Sequence, residues 1–522
     1  MREQIWVIAN MYVVSKSSCY TQNMPKVSKL FRDSLMITIF FGINKIVALV
    51  RQGIIVKQYG FSPEIDAFNV ANNVPDLLFA LITGGAFAVA FIPVLAEYLH
   101  KESREETWLL FSRVANIVFL STLALSILVG IFAEQLVKAQ LGIAPGFSLS
   151  QQEVVVTLMR LNLIATLIFS ISGLAMSTLQ AHKHFFLPAV APILYNVGQI
   201  FGAVVLTKVF GMGIYGLTYG VILGATLHLL VQIPGMIHYN VRWSLTLSFS
   251  DPGVKKVLRL MGPRILTILF IQIIFLSRDN LASRLASGSV TALTYAYFVM
   301  QVPETLIGSA IATALLPTIS QLIHHDDLRL FVETVNRALR AILTLTVIIT
   351  VLSIVSLQPF LKTIFHFTPQ ETSLLTWVTI AYLVGLTSQC LLEIATRVYY
   401  AKQDAKTPLI ATFFRMVCFI GLSFVFLQSL GAVGLALADS LAVTVEMAIL
   451  LVILAKTMPQ IFHLRDTVKR ISFASSASLG VFYLSFTMLP FPLLLTTSGG
   501  VLAAFIIAIP FIRRELQMLL RL

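Results

Sequence analysis

The chain has 522 residues, of which 57% are hydrophobic and 12% charged, with a mean hydropathy of +0.87 and a formal net charge of +13. A soluble domain carries about 25% charged residues, so this composition excludes a soluble enzyme or binding module and implies an all-α polytopic membrane protein. The positive balance is that of basic loops facing anionic lipid, and nucleic acid is excluded as the expected partner.

Residues 1–32 read as a cytoplasmic or interfacial tail. IWVIANMYVV is too short to span, no small-residue cleavage site follows it cleanly, and Met24 competes with Met1 as the start. About fourteen apolar spans of roughly twenty residues follow. They are placed at 33–57, 66–95, 108–133, 154–178, 186–207, 213–236, 257–280, 288–318, 335–357, 372–396, 408–428, 431–455, 468–489 and 493–512. The connections are too short for a catalytic domain, and no Gly-rich nucleotide loop with its Lys is present. The expectation is therefore a transporter that is neither an enzyme nor an ATPase. With the N-terminus inside, the inner segments hold about twenty-five Lys and Arg. The outer loops hold Lys57, Lys138, Lys208, Arg278, Arg284 and Lys362. This bias predicts that both termini are cytoplasmic.

The second span is unusual. The stretch Asp66 to Tyr98 carries Asp66, Asn72, Asn73 and Asp76, two prolines and the Gly84-Gly85 pair. Such groups survive in a membrane helix when they face protein or a water-filled cavity. The stretch also recurs. Val74-Pro75-Asp76 and Ala88–Pro93 return as Val302-Pro303-Glu304 and Ala312–Pro317. Ala181, Lys183 and Pro188 return as Ala401, Lys402 and Pro408, and Gly211–Leu217 returns as Leu430–Ala436. Spans one to six thus repeat as spans seven to twelve. The reading is two six-helix bundles, 33–240 and 241–460, related by a pseudo-two-fold along the membrane normal. Residues 461–522 add two helices and a short tail. Substrate is expected between the halves.

A charged headgroup cannot cross hydrocarbon bare, so cations deep in the spans are the natural candidates for receiving one. In span one these are Lys45 and Arg51, with Asn44 on the same stripe as Arg51. Snorkelling, or a structural pair with Asp66, is the plainer alternative. Asp66 opens span two, where it pairs with Arg51 or caps the helix start. Asn73 and Asp76 lie deeper, and hydrogen bonding between packed helices is their plainer role. Arg264 is the candidate in span seven, with Arg160 and Arg415 as further ones. Glu304 follows Pro303 as Asp76 follows Pro75, which suits either a kinked structural pair or ion coupling. Glu393, Asp439 and Glu446 are weaker coupling candidates. His182, His184 and His324–Asp327 read as solvated loop residues without metal spacing, and Cys19, Cys390 and Cys418 show no metal spacing either.

The segments IDAFNVANNVPDLL, GGAFAVAFIPVLAEY, LQAHKHFFLPAVAPILYNVGQ, LMGPRIL, LASGSVTALTYAY, ATALLPTIS and YYAKQDAKTP occur in order along the chain. Together they resemble the MurJ/MviN family of the multidrug/oligosaccharidyl-lipid/polysaccharide exporter superfamily. The resemblance implies two bundles forming a V, with two extra helices lining a groove for a lipid tail. It implies export of lipid II, the undecaprenyl-pyrophosphate-linked peptidoglycan precursor, across the bacterial inner membrane by alternating access. Lipid II or a similar polyprenyl glycan, membrane lipids and the cell-wall synthesis machinery are the implied partners. Lys45 and Arg51 match positions where the family places functional arginines, and Asp66 matches its acidic residue. The chain also departs from the pattern. Phe79-Ala80 and Gly84 stand where an Arg and a Glu are expected. Tyr297, Phe298 and Gln301 stand where an acidic residue, Arg and Glu are expected. Gln301 therefore joins the substrate-binding candidates. Membrane potential or a coupling ion (Na+, H+ or Cl−) would drive transport, with Asp76 and Glu304 as coupling or gating groups. An exporter of another polyprenyl-linked glycan, a multidrug antiporter and a non-transporting scaffold are the alternatives.

Overall fold

The computed structural model describes residues 29–82, 85–101, 103–324, 327–365, 367–458, 465–488 and 493–519. Residues 1–28 of the predicted N-terminal tail, with Cys19 and Met24, and Gly84, His325 and Asp326 lie outside them, while 29–32, assigned to that tail, begin the first helix. Among the described residues the chain is helical throughout, without strands. The helices are α1 (Lys29–Tyr59), α2 (Pro63–Ile82), α3 (Gly85–Lys101), α4 (Arg104–Ile131), α5 (Leu149–Ala181), α6 (Phe186–Phe201) and α7 (Ile214–Leu230). The second half has α8 (Pro252–Ala282), α9 (Ser289–Pro303), α10 (Ala310–His324), α11 (Leu328–Phe365), α12 (Pro369–Val384), α13 (Leu386–Ala401) and α14 (Lys406–Thr457). The chain continues with α15 (Arg465–Met488) and α16 (Leu493–Leu519). Among the described residues, eleven helical stretches are long and apolar enough to cross a bilayer. One of them, α14, is two helices merged across a kink at Gly431, whose φ of 54° an L side chain rarely adopts.

Several predicted spans are not single regular helices. The second is divided between α2 and α3, and Pro75 and Pro93 lie inside them. The eighth runs from α9 through a π-helical turn, Glu304–Ser309, into α10. That turn begins directly after Pro303, which supplies no N–H to the preceding ladder. A second π-helical stretch, Gly202–Val209, ends the fifth span.

The repeat is visible in the backbone. Lys183 and Gln403 both adopt positive φ, 59° and 58°, two residues after Ala181 and Ala401. Gly213 (φ 57°, ψ −139°) and Gly431 (φ 54°, ψ −129°) share a second rare conformation. This moves the register of the glycine-rich pair by one residue, because Gly213 rather than Met212 corresponds to Gly431.

The largest apolar core draws on both halves, with Phe61 and Ile65 beside Val290 and Leu293. A second core joins α3 and α4 to the start of α8 through Phe87, Phe91, Trp108, Val254 and Val257. A third packs α11 against α15 and α16.

Glycines let α6 and α7 approach backbone to backbone. A Cβ at Gly198 would strike Gly224, and one at Gly202 would strike Gly220. This contact fixes Tyr195 and Gln199, on the same stretch of α6, against the central cavity. Gly202→Val must push the helices apart. It should lower stability by about 1–3 kcal/mol through overpacking, read as a lower Tm in detergent. An unchanged Tm would show that the contact is slack.

Candidate functional site

A cavity of about 610 Å³ lies between the halves. Its N-terminal wall comes from α1, α2, α5, α6 and α7, and its C-terminal wall from α8 and α9. Polar side chains occupy successive turns of α2. Asn69, Asn72, Asn73 and Asp76 fall at helical spacing on one side, and all four line the cavity. Asn72 Oδ1 accepts from Asn162 Nδ2 at 2.7 Å within the N-half. Asn69 Nδ2 donates to Thr291 Oγ1 at 3.3 Å and Asn73 Nδ2 donates to Asp279 Oδ2 at 2.5 Å, both across to the C-half.

Two cations reach the cavity. Arg51 donates through Nη1 to Gln199 Oε1 at 3.2 Å. Its Nε–H has no partner, and no carboxylate pairs with it among the described residues. Arg278 is 6% exposed, pairs with Asp279 at 2.8 Å and lies 5.2 Å over the Phe275 ring. Charge counting assigns Arg278 to an outer loop, but it belongs to the last turns of α8. That 31-residue helix, at 1.5 Å per residue, is about 46 Å long and exceeds the hydrocarbon core.

Of the sequence candidates, Arg51, Asn73, Asp76 and Gln301 line this cavity. Phe79, Tyr297 and Phe298, which stand where the family pattern expects charges, line it too. Asp76 is exposed to the cavity and has no hydrogen-bond or ion-pair partner among the described residues.

The other candidates are placed elsewhere. Lys45 spans the halves, donating to Thr305 Oγ1 at 3.4 Å. Asn44 Oδ1 accepts from Asn196 Nδ2 at 2.9 Å. Glu304 is buried in the π-helical turn and accepts from Ser309 Oγ at 2.9 Å and Thr305 Oγ1 at 3.2 Å. Arg264 sits over the Tyr400 ring at 5.8 Å, and Arg160 donates to the Gly130 carbonyl. Neither lines the cavity.

Asp66 is bonded neither to Arg51 nor to the start of its own helix. Ser62 serves that local end, accepting from Ile65 N at 3.4 Å. The Asp66 carboxylate reaches the other half and caps α9. It accepts from Gly288 N at 2.6 Å, Thr291 N at 2.7 Å and Thr291 Oγ1 at 2.5 Å. A carboxylate on a helix N-terminus meets both the unpaired amides and the positive end of the dipole. Phe61 seals the contact edge-on against Tyr295 and Phe367. At the opposite end of the halves, Lys256 pairs with Glu97 at 2.5 Å and Arg113 pairs with Asp251.

Arg415 is buried between Asp439 at 3.1 Å and Glu446 at 3.2 Å, and Glu446 also accepts from Thr412 Oγ1. Two of the weaker coupling candidates, Asp439 and Glu446, are therefore held by a resident guanidinium. Arg415→Met leaves both uncompensated and should cost about 3–5 kcal/mol. Adding Asp439→Asn and Glu446→Gln should recover most of that loss in Tm; failure of the triple variant to recover would sink the pairing argument. His182 is not a solvated loop residue. It stacks on Trp108 at 5.8 Å and lies 4.3 Å from the Tyr239 ring, and burial pushes its pKa down.

The family described as "Lipid II flippase MurJ" matches residues 55–510. A protein of Burkholderia cenocepacia with that name is 31% identical over 418 residues, covering 78% of this chain and 80% of the relative. A solved structure described as "Lipid II flippase MurJ, inward closed conformation" superposes with a TM-score of 0.79 at 27% identity, over 92% of this chain and 100% of that one. An inward-facing multidrug resistance MATE family transporter shares the fold, with a TM-score of 0.69 at 15% identity over 81% and 98% of the two chains. The cavity between two repeated halves, the ties across it and these likenesses lead to one conclusion: the chain belongs to the lipid II flippase MurJ family.

Proposed function

We propose that this chain is a lipid II flippase of the bacterial inner membrane, moving the headgroup through the central cavity by alternating access. The observation that carries the reading is Arg51, a cation lining the interior cavity without a carboxylate partner among the described residues. Its fork suits a pyrophosphate oxygen pair. Arg278, oriented by Asp279, supplies the second cation. Asn69, Asn72, Asn73 and Gln301 supply neutral donors and acceptors for sugars and peptide, and Phe79, Tyr297 and Phe298 supply flat apolar faces. The polyprenyl tail stays in the bilayer, against the groove expected at residues 461–522. The halves 33–240 and 241–460 rock about the cavity. The Asp66 cap on α9 closes one end, and the Glu97–Lys256 and Arg113–Asp251 pairs close the other. Lys45 acts at the junction of the halves and Asn44 within the N-terminal half, rather than on the headgroup. Asp76, which carries no partner, is the coupling or gating carboxylate, with Glu304 as its repeat-related counterpart. Both termini are cytoplasmic.

The test is replacement of a host's own flippase. Depletion of that protein with expression of this chain should restore lipid II at the outer leaflet, measured by surface labelling. A well-expressed chain that restores none would move the reading to another polyprenyl-linked glycan.

A further inference from the structure

A second cavity shares no residue with the central one. It lies on the face rich in Lys and Arg, where α4 starts at Arg104 behind its Ser103 cap. Beside the first turns of α4 runs the non-helical segment 241–249 that joins the two repeats. Side chains of α4 hold its backbone. Asn116 Nδ2 donates to Ser244 O at 2.9 Å and Thr246 O at 2.8 Å. Ser244 N donates to Ser112 Oγ at 3.0 Å, and Trp243 Nε1 donates to Asn116 Oδ1 at 2.9 Å. Non-helical backbone beside a membrane helix needs such partners. Trp243, Leu245, Leu247 and Phe249 of this segment are all more than half exposed.

Between this strap and α4 is a cavity of about 640 Å³, lined by Arg104, Arg242, Trp108, Trp243 and Asn240, with Glu105 the one carboxylate in its wall. Arg104 and Trp108 also wall an adjoining cavity of about 360 Å³ that contains Lys183. The side chains of Arg104, Arg242 and Lys183 have no hydrogen-bond or ion-pair partner among the described residues. Three free cations beside two indoles, under a row of outward apolar side chains, form an amphipathic surface. Trp favours the headgroup level, and Arg matches phosphate oxygens.

We propose that this cavity binds the phosphate headgroup of an anionic phospholipid, whose acyl chains lie along Trp243, Leu245, Leu247 and Phe249. The site is independent of the transport cavity. A bound lipid would fasten the linker between the halves to α4, so its occupancy would bear on how freely they move.

Native mass spectrometry of the full chain from nanodiscs of phosphatidylethanolamine and phosphatidylglycerol tests this. Wild type should retain phosphatidylglycerol. Arg104→Gln with Arg242→Gln should reduce the retained lipid by at least about tenfold, as expected for two lost charge-assisted contacts. Both arginines are exposed, so folding is not at stake. Arg259→Gln, on the same face outside the cavity, should leave retention unchanged. Equal loss in the Arg259 variant, or none in the double variant, overturns the proposal. Displacement by millimolar inorganic phosphate would show a free-phosphate site, and retention of a polyprenyl diphosphate lipid instead would show a substrate site. Either result also overturns it.

Discussion

Replacing Arg51 with Ala should lower lipid II translocation by at least about a hundredfold, because it removes two charge-assisted contacts of about 1.5–3 kcal/mol each. The size of the effect follows from the state of the side chain. A cation already paired with a carboxylate would have to break that pair to serve a phosphate. Among the described residues Arg51 is held only by Gln199 at 3.2 Å, and no carboxylate pairs with it. Its charge is thus available to a ligand, and Gln199 orients the guanidinium without neutralising it. Arg51→Lys keeps the charge and loses the fork, and should cost about tenfold. Arg51→Met separates binding from packing, since it retains most of the volume. If the Met variant still delivers lipid II to the outer leaflet at the wild-type rate, Arg51 is a packing residue and the binding role falls.

The fold was legible because the membrane enforces a strong pattern. Apolar runs of spanning length located the helices among the described residues, and the repeated Pro-acid pairs fell in two spans that are not single regular helices. Arg51, Asn73 and Asp76 follow from one rule, that a polar group deep in a span faces protein or water, while Gln301 came from the family pattern. What stayed hidden depended on partners distant in sequence. Asp66 contacts residues more than two hundred positions away. Ser62-Pro63, a cap followed by proline at the first helical position, is the local signal that could have freed Asp66 from capping its own helix. Arg278 was misplaced because charge counting treats the end of a long helix as loop. Arg415 looked like a spare cavity cation, although Asp439 and Glu446, about two turns apart on one face of the following span, could have been matched to it.

Asp66→Ala should shift the resting protein toward a state open at the α2–α9 end. The carboxylate satisfies two backbone amides and one hydroxyl, all buried. Removing it strands Gly288 N–H and Thr291 N–H at a helix end where they have no intrahelical acceptor. Each of the two stranded groups costs about 1–3 kcal/mol, so the closed state should lose about 2–6 kcal/mol relative to one in which water reaches them. That is a shift of at least roughly thirtyfold in the equilibrium between closed and open. Asp66→Asn keeps an acceptor and loses only the charge, and should shift it less. Thr291→Val removes the hydroxyl bond alone and should shift it least. Spin labels at Glu64→Cys and Ser287→Cys, both exposed on either side of the contact, report the opening as a longer distance distribution. The order Ala, Asn, Val in the size of that lengthening is the specific expectation. General destabilisation would broaden the distribution without that ranking, and an unchanged distance in Asp66→Ala would mean that the cap does not hold this end shut.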